Sequence, residues 1–277
     1  MLFVKLNATN SKSSTNNSLE IKERRISHTL IAHPFHCLER HLLRAVQSSR
    51  KGLFDSVYNE IYENITNCGY GVFSSLPLIN LTSFDSTITY LPPVYSDESC
   101  NILTLGINPD VNVEFQIKQL YPQCRFLGID INEANGYSYM KKLSGIFVEG
   151  NITAESPGNN LTTFNFQHFL DQFNDNRPID AMFIDISGEE FALLEFIVDN
   201  ANELPLICQM NVKLYFPHMH PPRGHNILET LYRMTTKERF LILHMQPEGP
   251  FYRMFIINTA DTRCKYAYLG YQINIRH

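Results

Sequence analysis

Two stretches indicate the fold class: Asn-Ile-Leu-Thr-Leu-Gly at residues 101–106, and Phe-Leu-Gly-Ile-Asp-Ile-Asn at residues 126–132. The first is a short, mostly apolar run that stops at Gly106, which predicts a buried strand ending in a tight turn. The second is another apolar run, and it closes at Asp130. Between them, Val113, Ile117 and Leu120 recur at the spacing of one helix face.

Strand, glycine turn, helix, strand and acidic residue, in this order, form half of a nucleotide-binding βαβ unit. The turn lets the backbone approach a ligand, and the carboxylate accepts hydrogen bonds from ribose hydroxyls. Asn108 followed by Pro109 predicts the helix start, because Asn caps free amides and Pro is favoured at the first helical position. Two structural alternatives stay open: Gly106 is simply a tight turn, and Asp130 caps the next helix.

A second acid follows a strand at residues 179–191, Ile-Asp-Ala-Met-Phe-Ile-Asp-Ile-Ser-Gly-Glu-Glu-Phe. The apolar run ends at Asp185, and Gly188 turns the chain into a helix. Ligands of open α/β sheets lie at the carboxyl ends of the strands, so Asp185, Asp130 and Gly106 are predicted to share one crevice. The alternative is that Asp185 caps the following helix. Asp180, before the strand, is interpreted as a surface cap.

The rest of the chain alternates strands with helices, which predicts an α/β fold with a mostly parallel sheet covered on both faces. The last two strands, at 240–245 and 252–258, read as an antiparallel hairpin. We expect three regions: a disordered tail (1–18), an N-terminal helical cap with an irregular linker (19–98), and the main domain (99–277). Helices are expected at 36–46 and 53–65, and residues 68–99 and 153–165 as loops.

Composition excludes several function classes. The formal net charge of −5 argues against nucleic-acid binding, which needs a basic face. The six cysteines form no Cys-x-x-Cys pair, so no zinc site is predicted, and Cys124 and Cys208 are interpreted as small buried apolar residues. An even cysteine count permits disulfides without requiring them. His218, His220 and His225 have metal-like spacing, but no Cys or carboxylate completes a set, so a substrate-side loop is favoured over a metal site.

The localisation signals conflict. The N-terminal apolar run is too short for a signal peptide, and no segment is long enough to span a membrane, which predicts a cytoplasmic protein. Against this, six Asn-x-Ser/Thr sequons occur, at Asn7, Asn16, Asn64, Asn80, Asn151 and Asn160. They leave a secretory-pathway protein as the rival interpretation.

The segment Ile-Asp-Ile-Ser-Gly-Glu-Glu-Phe-Ala-Leu-Leu resembles the Ile-Asp-x-Glu-Gly-x-Glu-x-x-x-Leu signature of FkbM-type S-adenosylmethionine-dependent methyltransferases, and nematode FkbM-like proteins in particular. The likeness extends over residues 204–212 and 251–258 and covers about residues 99–270. Thr-Leu-Gly-Ile-Asn and Phe-Leu-Gly-Ile-Asp occupy the cofactor motifs of the family. The resemblance implies the seven-stranded, Rossmann-like class I methyltransferase fold, whose last hairpin is reversed.

The resemblance also implies roles for single residues. Gly106 and Asn108 would approach the methionine part of S-adenosylmethionine, and Asp130 would hold the ribose hydroxyls. Ile131 would lie against the adenine, Asn151 near the adenine edge, and Asp185 at the methionine end and the reacting centre. Asp185 and Glu190 are the candidate catalytic bases. If Asn151 lines the cofactor pocket, it should not carry a glycan.

Three positions depart from the family pattern. Ser187 stands where the signature has Glu, and Lys213 and Tyr215 replace the Glu and His of a usual Asn-x-Glu-x-His strand. The turn after Gly106 also lacks a further small residue. Two hypotheses follow. One is an O-methyltransferase acting on a small-molecule or glycan hydroxyl; the other is a catalytically inactive FkbM-like domain used for binding or trafficking.

Overall fold

The computed structural model describes residues 28–84, 86–95, 98–155, 162–216 and 226–270. The predicted tail at 1–18 and the cluster of His218, His220 and His225 lie outside these residues.

The helices are α1 (His28–Ser48), α2 (Phe54–Ser75), α3 (Asn112–Leu120), α4 (Glu133–Leu143), α5 (Phe166–Phe169), α6 (Glu190–Asp199), α7 (Ile227–Thr236) and α8 (Thr262–Leu269). A kink at Ser49–Leu53, where Gly52 has a φ of +84°, separates α1 from α2, and a single π-helical turn at Leu170–Asn174 follows α5. The strands are β1 (Ile79–Thr82), β2 (Thr87–Tyr90), β3 (Asn101–Leu105), β4 (Arg125–Asp130), β5 (Ile146–Glu149), β6 (Asn151–Thr153), β7 (Thr163–Asn165), β8 (Ala181–Ile184), β9 (Gln209–Tyr215), β10 (Phe240–Glu248) and β11 (Phe251–Asn258).

Seven strands form the main sheet in the order β10-β11-β9-β8-β3-β4-β5. The pairs β3–β4, β3–β8, β4–β5 and β8–β9 are parallel, whereas β11 runs antiparallel to both β9 and β10. Counted along the chain, the order is 3-2-1-4-5-7-6 with a reversed final hairpin. The prediction of a class I methyltransferase-type, Rossmann-like sheet is therefore confirmed.

The two strands at the centre of the sheet explain why the prediction succeeded. Every residue of β3 and of β8 is buried, as expected for parallel strands covered on both faces. Such strands read as continuous apolar runs, and both runs end in the turns that the glycines and acids mark. The strand order also reverses here, because β4 lies on one side of β3 and β8 on the other.

The N-terminal helices pack on the main sheet as part of one hydrophobic core. Leu38 of α1, Ile61 of α2 and Leu243 of β10 belong to the same buried cluster. The helix α2 lies directly across β10, and α1 contacts α2 and α7. Both helices are longer than the apolar stripes predicted, because their ends are held by the sheet and by each other.

Two regions expected to be loops contain regular structure. Within the predicted crossing at 68–99, α2 continues to Ser75, and β1 and β2 form an antiparallel hairpin. Within the predicted loop at 153–165, β7 pairs in parallel with β6. The polar composition concealed these strands, because each is only three or four residues long.

The structure corrects the interpretation of the cysteines. Cys124 and Cys208 are buried, as expected, but they are bonded rather than free. The three disulfides are Cys37–Cys68, Cys100–Cys124 and Cys208–Cys264.

Asp180 is also buried and is not the surface cap expected. Its carboxylate accepts hydrogen bonds from the Asn101 amide at 2.8 Å and from the Tyr268 hydroxyl at 2.9 Å, and it contacts Arg263. It therefore joins the start of β3 to α8. Among the described residues, no helix combines the length and the apolar character that a membrane span requires.

A matched glycine pair on α2 tests the packing of the N-terminal helices. A Cβ at Gly69 would overlap the backbone carbonyl of Leu243, whereas one at Gly71 would meet no atom within 4 Å. We expect Gly69→Ala to lower the free energy of unfolding by about 1–3 kcal/mol, since it pushes α2 off the sheet. Gly71→Ala should raise it by about 0.5–1 kcal/mol through helix propensity. Urea unfolding of both variants measures this, and equal effects would contradict the close approach.

Candidate functional site

A crevice of about 480 Å³ lies at the carboxyl ends of β3, β4 and β8. Five of the residues predicted from the sequence line it together: Gly106, Asp130, Ile131, Asn151 and Asp185. Asn108 lines a smaller neighbouring cavity, to which Gly106 and Asp185 also contribute. The structure thus brings together residues that are up to 79 positions apart in the chain. They meet where the strand order reverses, which is where open α/β sheets bind ligands.

Gly106 forms the floor of the crevice. Its φ of +80° lies in the left-handed region, and a Cβ there would overlap the carbonyl oxygen of Asp185. The Gly106 amide donates to Ile129 at 2.9 Å, and the Asp185 amide donates to Leu105 at 2.8 Å. Glycine is therefore required here by a close approach of two strand ends.

The predicted helix start at Asn108 and Pro109 is wrong. The helix α3 begins at Asn112, after a loop that the rest of the site holds in place. The Ile107 amide donates to Asp130 at 2.8 Å, and Asn135 Nδ2 donates to the Ile107 carbonyl at 2.7 Å. These two tertiary hydrogen bonds fix the backbone that follows Gly106 beside the crevice.

Asp130 organises the end of β4. One carboxylate oxygen accepts from the Ile107 amide, and the other accepts from the Asn132 amide at 2.6 Å. It is not the cap of α4, because Asn132 occupies that position and accepts from the Ala134 amide. Each carboxylate oxygen has two acceptor sites, so Asp130 retains capacity for two further donors facing the crevice.

An apolar surface and an amide complete this end of the crevice. Ile131 is 63% exposed although it is a large apolar residue, and it lies beside Asp130 on the crevice wall. Asn151 begins β6 and is exposed at the same rim. An apolar side chain, an amide and a strand-end carboxylate suit a nucleoside, which presents a flat base, polar base edges and ribose hydroxyls. The volume also falls within the range of small-molecule sites, about 300–1,000 Å³.

At the other end of the crevice, Asp185 forms an ion pair. Lys213 Nζ lies 3.0 Å from its carboxylate and 4.5 Å from the centre of the Phe251 ring. Asp185 is not the cap of α6, because Glu189 occupies the N-cap position. Burial is the largest single influence and would lower the pKa of the Lys213 ammonium, but the charge and hydrogen bond of Asp185, together with Tyr215, outweigh it, and the pKa is raised. Lys213 is therefore charged at neutral pH and holds the carboxylate.

Glu190 does not reach the crevice. Its side chain is fully buried, and its carboxylate accepts from the Gly188 amide and from the Tyr215 amide at 3.1 Å. Burial raises the pKa of the carboxyl, while these two hydrogen bonds act in the opposite direction. We therefore assign Glu190 to joining the turn after β8 to β9, rather than to the catalytic base expected of it.

Sequence reasoning missed several residues of the site. Thr153, Thr163 and Glu189 line the crevice, and Asn211 and Arg253 line the smaller cavity. The Asn211 amide nitrogen donates to Thr89 at 2.9 Å, while its buried oxygen has no hydrogen-bond partner among the described residues. Ser187, a departure from the family signature, also faces the crevice.

The described residues contain one cluster of metal-ligating side chains, formed by Cys37, His41 and Cys68. The two sulfurs are joined in a disulfide, so neither is available as a thiolate ligand.

No family model matches the chain, and no curated protein matches its sequence. Among solved structures, it resembles the fibrillarin pre-rRNA processing protein of Methanococcus jannaschii at 10% identity and a TM-score of 0.41, over 67% of this chain and 84% of that one. It also resembles Aeropyrum pernix fibrillarin, solved with natively bound S-adenosyl-L-methionine, at 12% identity and a TM-score of 0.39, over 58% of this chain and 68% of that one. The third structure is precorrin-6y C5,15-methyltransferase of Geobacter metallireducens, at 10% identity and a TM-score of 0.36, over 58% of this chain and 80% of that one. At such low scores, the fold assignment rests on the strand order.

A buried acid beneath the site gives a pH prediction. Glu114 on α3 is 7% exposed, accepts from the Thr104 hydroxyl at 2.9 Å, and has its pKa raised by burial. A carboxyl whose folded-state pKa is raised stabilises the fold at low pH, and this stability is lost as the pH rises from the unfolded pKa through the folded one.

We therefore expect Glu114→Gln to lose less stability than the wild type as the pH rises from about 4.5 to about 8, because the amide cannot ionise. Denaturant unfolding across this range measures the difference. The exposed residue Glu60 supplies the control Glu60→Gln, which should follow the wild-type profile. A Glu114→Gln profile parallel to the wild type would contradict the assignment.

Proposed function

We propose that the chain binds S-adenosylmethionine in the crevice and transfers its methyl group to a hydroxyl of a small molecule or glycan. The observation that carries the proposal is the meeting of Gly106, Asp130 and Asp185 at the strand-order reversal of a class I sheet. The FkbM-like signature around Asp185 supports the cofactor and the O-methyl chemistry.

Different residues of the crevice would contact different parts of the cofactor. Asp130 would accept hydrogen bonds from the ribose hydroxyls, and the exposed Ile131 would cover the adenine. Asn151 would meet the adenine edge, while Gly106 and Asn108 would let the backbone approach the methionine part. S-adenosylmethionine, when bound, supplies a methyl group activated by a positively charged sulfur.

The acid–base chemistry of the site depends on Asp185. Methyl transfer requires in-line positioning and a base for the proton of the acceptor. With Glu190 buried behind two amides, Asp185 is the candidate base that remains, and it lines both the crevice and the smaller cavity. Lys213 pairs with it, so Asp185 acts as a base only when an acceptor hydroxyl competes with the ammonium.

The same ion pair favours a second candidate, a catalytically inactive FkbM-like domain that binds a partner or acts in trafficking. Lys213 stands where the family has Glu, and Tyr215 stands where it has His. Both substitutions remove groups that could accept a proton. In this case the crevice would bind a nucleoside, but no methyl group would be transferred.

Asp130→Ala tests the crevice. We expect wild-type protein to bind S-adenosylmethionine and S-adenosylhomocysteine with micromolar affinity in calorimetric titration. Loss of the carboxylate should weaken both by about tenfold or more, since hydrogen bonds to a charged group contribute about 1.5–3 kcal/mol. Asp55→Ala, at an exposed position on α2, is the matched control and should bind as the wild type does. The proposal fails if folded wild-type protein binds neither compound.

Lys213→Ala tests the ion pair. The substitution leaves Asp185 with an uncompensated negative charge, which attracts the positive sulfur of S-adenosylmethionine but not the neutral sulfur of S-adenosylhomocysteine. We expect the affinity ratio to shift roughly tenfold toward S-adenosylmethionine, about 1.4 kcal/mol. Lys213→Arg keeps the charge and should keep the ratio; an unchanged ratio in Lys213→Ala would contradict the electrostatic role.

Labelled methyl transfer to a panel of hydroxylated small molecules and glycans separates the two candidate functions. Transfer by wild-type protein that Asp185→Asn loses supports the enzyme. Cofactor binding without transfer to any acceptor supports the inactive domain.

A further inference from the structure

All six cysteines lie in the described part of the chain, and all six are paired. Each bond joins different parts of the fold: α1 to α2, the residue before β3 to the residue before β4, and the residue before β9 to α8. Their Cα–Cα distances of 5.6, 4.5 and 5.2 Å fall within the range that disulfides need. Complete pairing of this kind is characteristic of chains that fold in an oxidising compartment.

One sequon of the described residues presents both of its polar side chains to solvent. Asn80, Leu81 and Thr82 belong to β1, where successive side chains point to opposite faces. Leu81 is 2% exposed and packs in the core, whereas Asn80 and Thr82 are exposed on the outer face. The β1–β2 hairpin therefore offers an acceptor amide and a hydroxyl side by side on a fixed surface.

The other two described sequons differ. In the sequon at Asn64, the Thr66 hydroxyl donates to the Met245 carbonyl at 2.8 Å, within the contact between α2 and the sheet. In the sequon at Asn151, the Thr153 side chain is 9% exposed and its hydroxyl lies 3.3 Å from Glu189. Asn151 itself borders the crevice, where a glycan would close the site.

We propose that Asn80 carries an N-linked glycan and that the chain folds in an oxidising compartment of the secretory pathway. The two observations are independent of each other, and neither rests on the proposed cofactor. They favour the secretory interpretation left open by the sequence over the cytoplasmic one.

Glycan transfer and disulfide formation each use a co-reactant of that compartment. A lipid diphosphate-linked oligosaccharide supplies the sugar. Asn80 Nδ2 bonds to the anomeric carbon as the bond from that carbon to the phosphate oxygen breaks with its electron pair remaining on the oxygen. The lipid diphosphate is the leaving group, and the proton lost by the amide passes to the solvent. Each disulfide forms as two thiols give two electrons and two protons to an oxidised dithiol carrier, which is reduced.

The glycan would leave the candidate site open. The residues that connect β1 to β2 border the smaller cavity through Ser83 and Ser86, on the inner side of the hairpin. Asn80 lies on the opposite, solvent-facing side, so an added glycan projects away from both cavities. A bulky polar group there also shields the exposed face of a two-stranded ribbon.

The full chain isolated from the cells that produce it tests the proposal. Mass spectrometry of non-reduced peptides should identify the linked pairs 37–68, 100–124 and 208–264. Glycosidase that releases N-linked glycans should convert Asn80 to Asp and leave Asn151 unchanged. Free thiols together with an unmodified Asn80 would overturn the proposal, whatever the result of cofactor titration.

Variants made in the same cells supply matched controls. Asn80→Gln and Thr82→Ala should each lose the mass of one glycan, and Thr82→Ser, which preserves the sequon, should retain it. All three should unfold at the wild-type denaturant concentration after enzymatic deglycosylation, because both positions are exposed. Equal glycan mass in Thr82→Ala and Thr82→Ser would place the modification elsewhere and overturn the assignment of Asn80.

Discussion

The contact between Gly106 and the carbonyl of Asp185 is the constraint on which the rest of the site depends. It joins the ends of β3 and β8, the two strands between which the order of the sheet reverses. Because no side chain fits between these backbones, the strand ends stay close and the loop after Gly106 opens beside them. Asp130 then fixes that loop through the Ile107 amide, which leaves a crevice between three strand ends.

Five acidic side chains near this region have different roles because their surroundings differ. Glu114, Asp180 and Glu190 are buried, satisfied by local donors, and raised in pKa by burial, so they act as structural acceptors. Asp130 and Asp185 face the crevice. Of these two, Asp130 contacts only amides, whereas Asp185 contacts a cation. Asp130 therefore keeps its negative charge at one end of the crevice, whereas Lys213 neutralises Asp185 at the other.

Much of the fold was predictable because its determinants are local. Buried parallel strands read as apolar runs, and the strand-end acids and glycines followed them at the expected positions. The β1–β2 hairpin and β7 were not predictable, because their strands are short and polar. The role of Glu190 also escaped, since it depends on a hydrogen bond to Tyr215, which is 25 residues away in sequence.

Local sequence patterns were enough to predict the class I sheet, the common location of Gly106, Asp130 and Asp185, and the apolar stripes of the N-terminal helices. These features follow from hydrophobic period and turn chemistry, which act over a few residues. The pairing of the cysteines, the burial of three acids and the neutralisation of Asp185 by Lys213 became visible only in the folded chain. The disulfides and the Lys213–Asp185 pair join residues 24 to 56 apart, and the buried Asp180 bonds a residue 88 positions away, so no local pattern encodes these contacts.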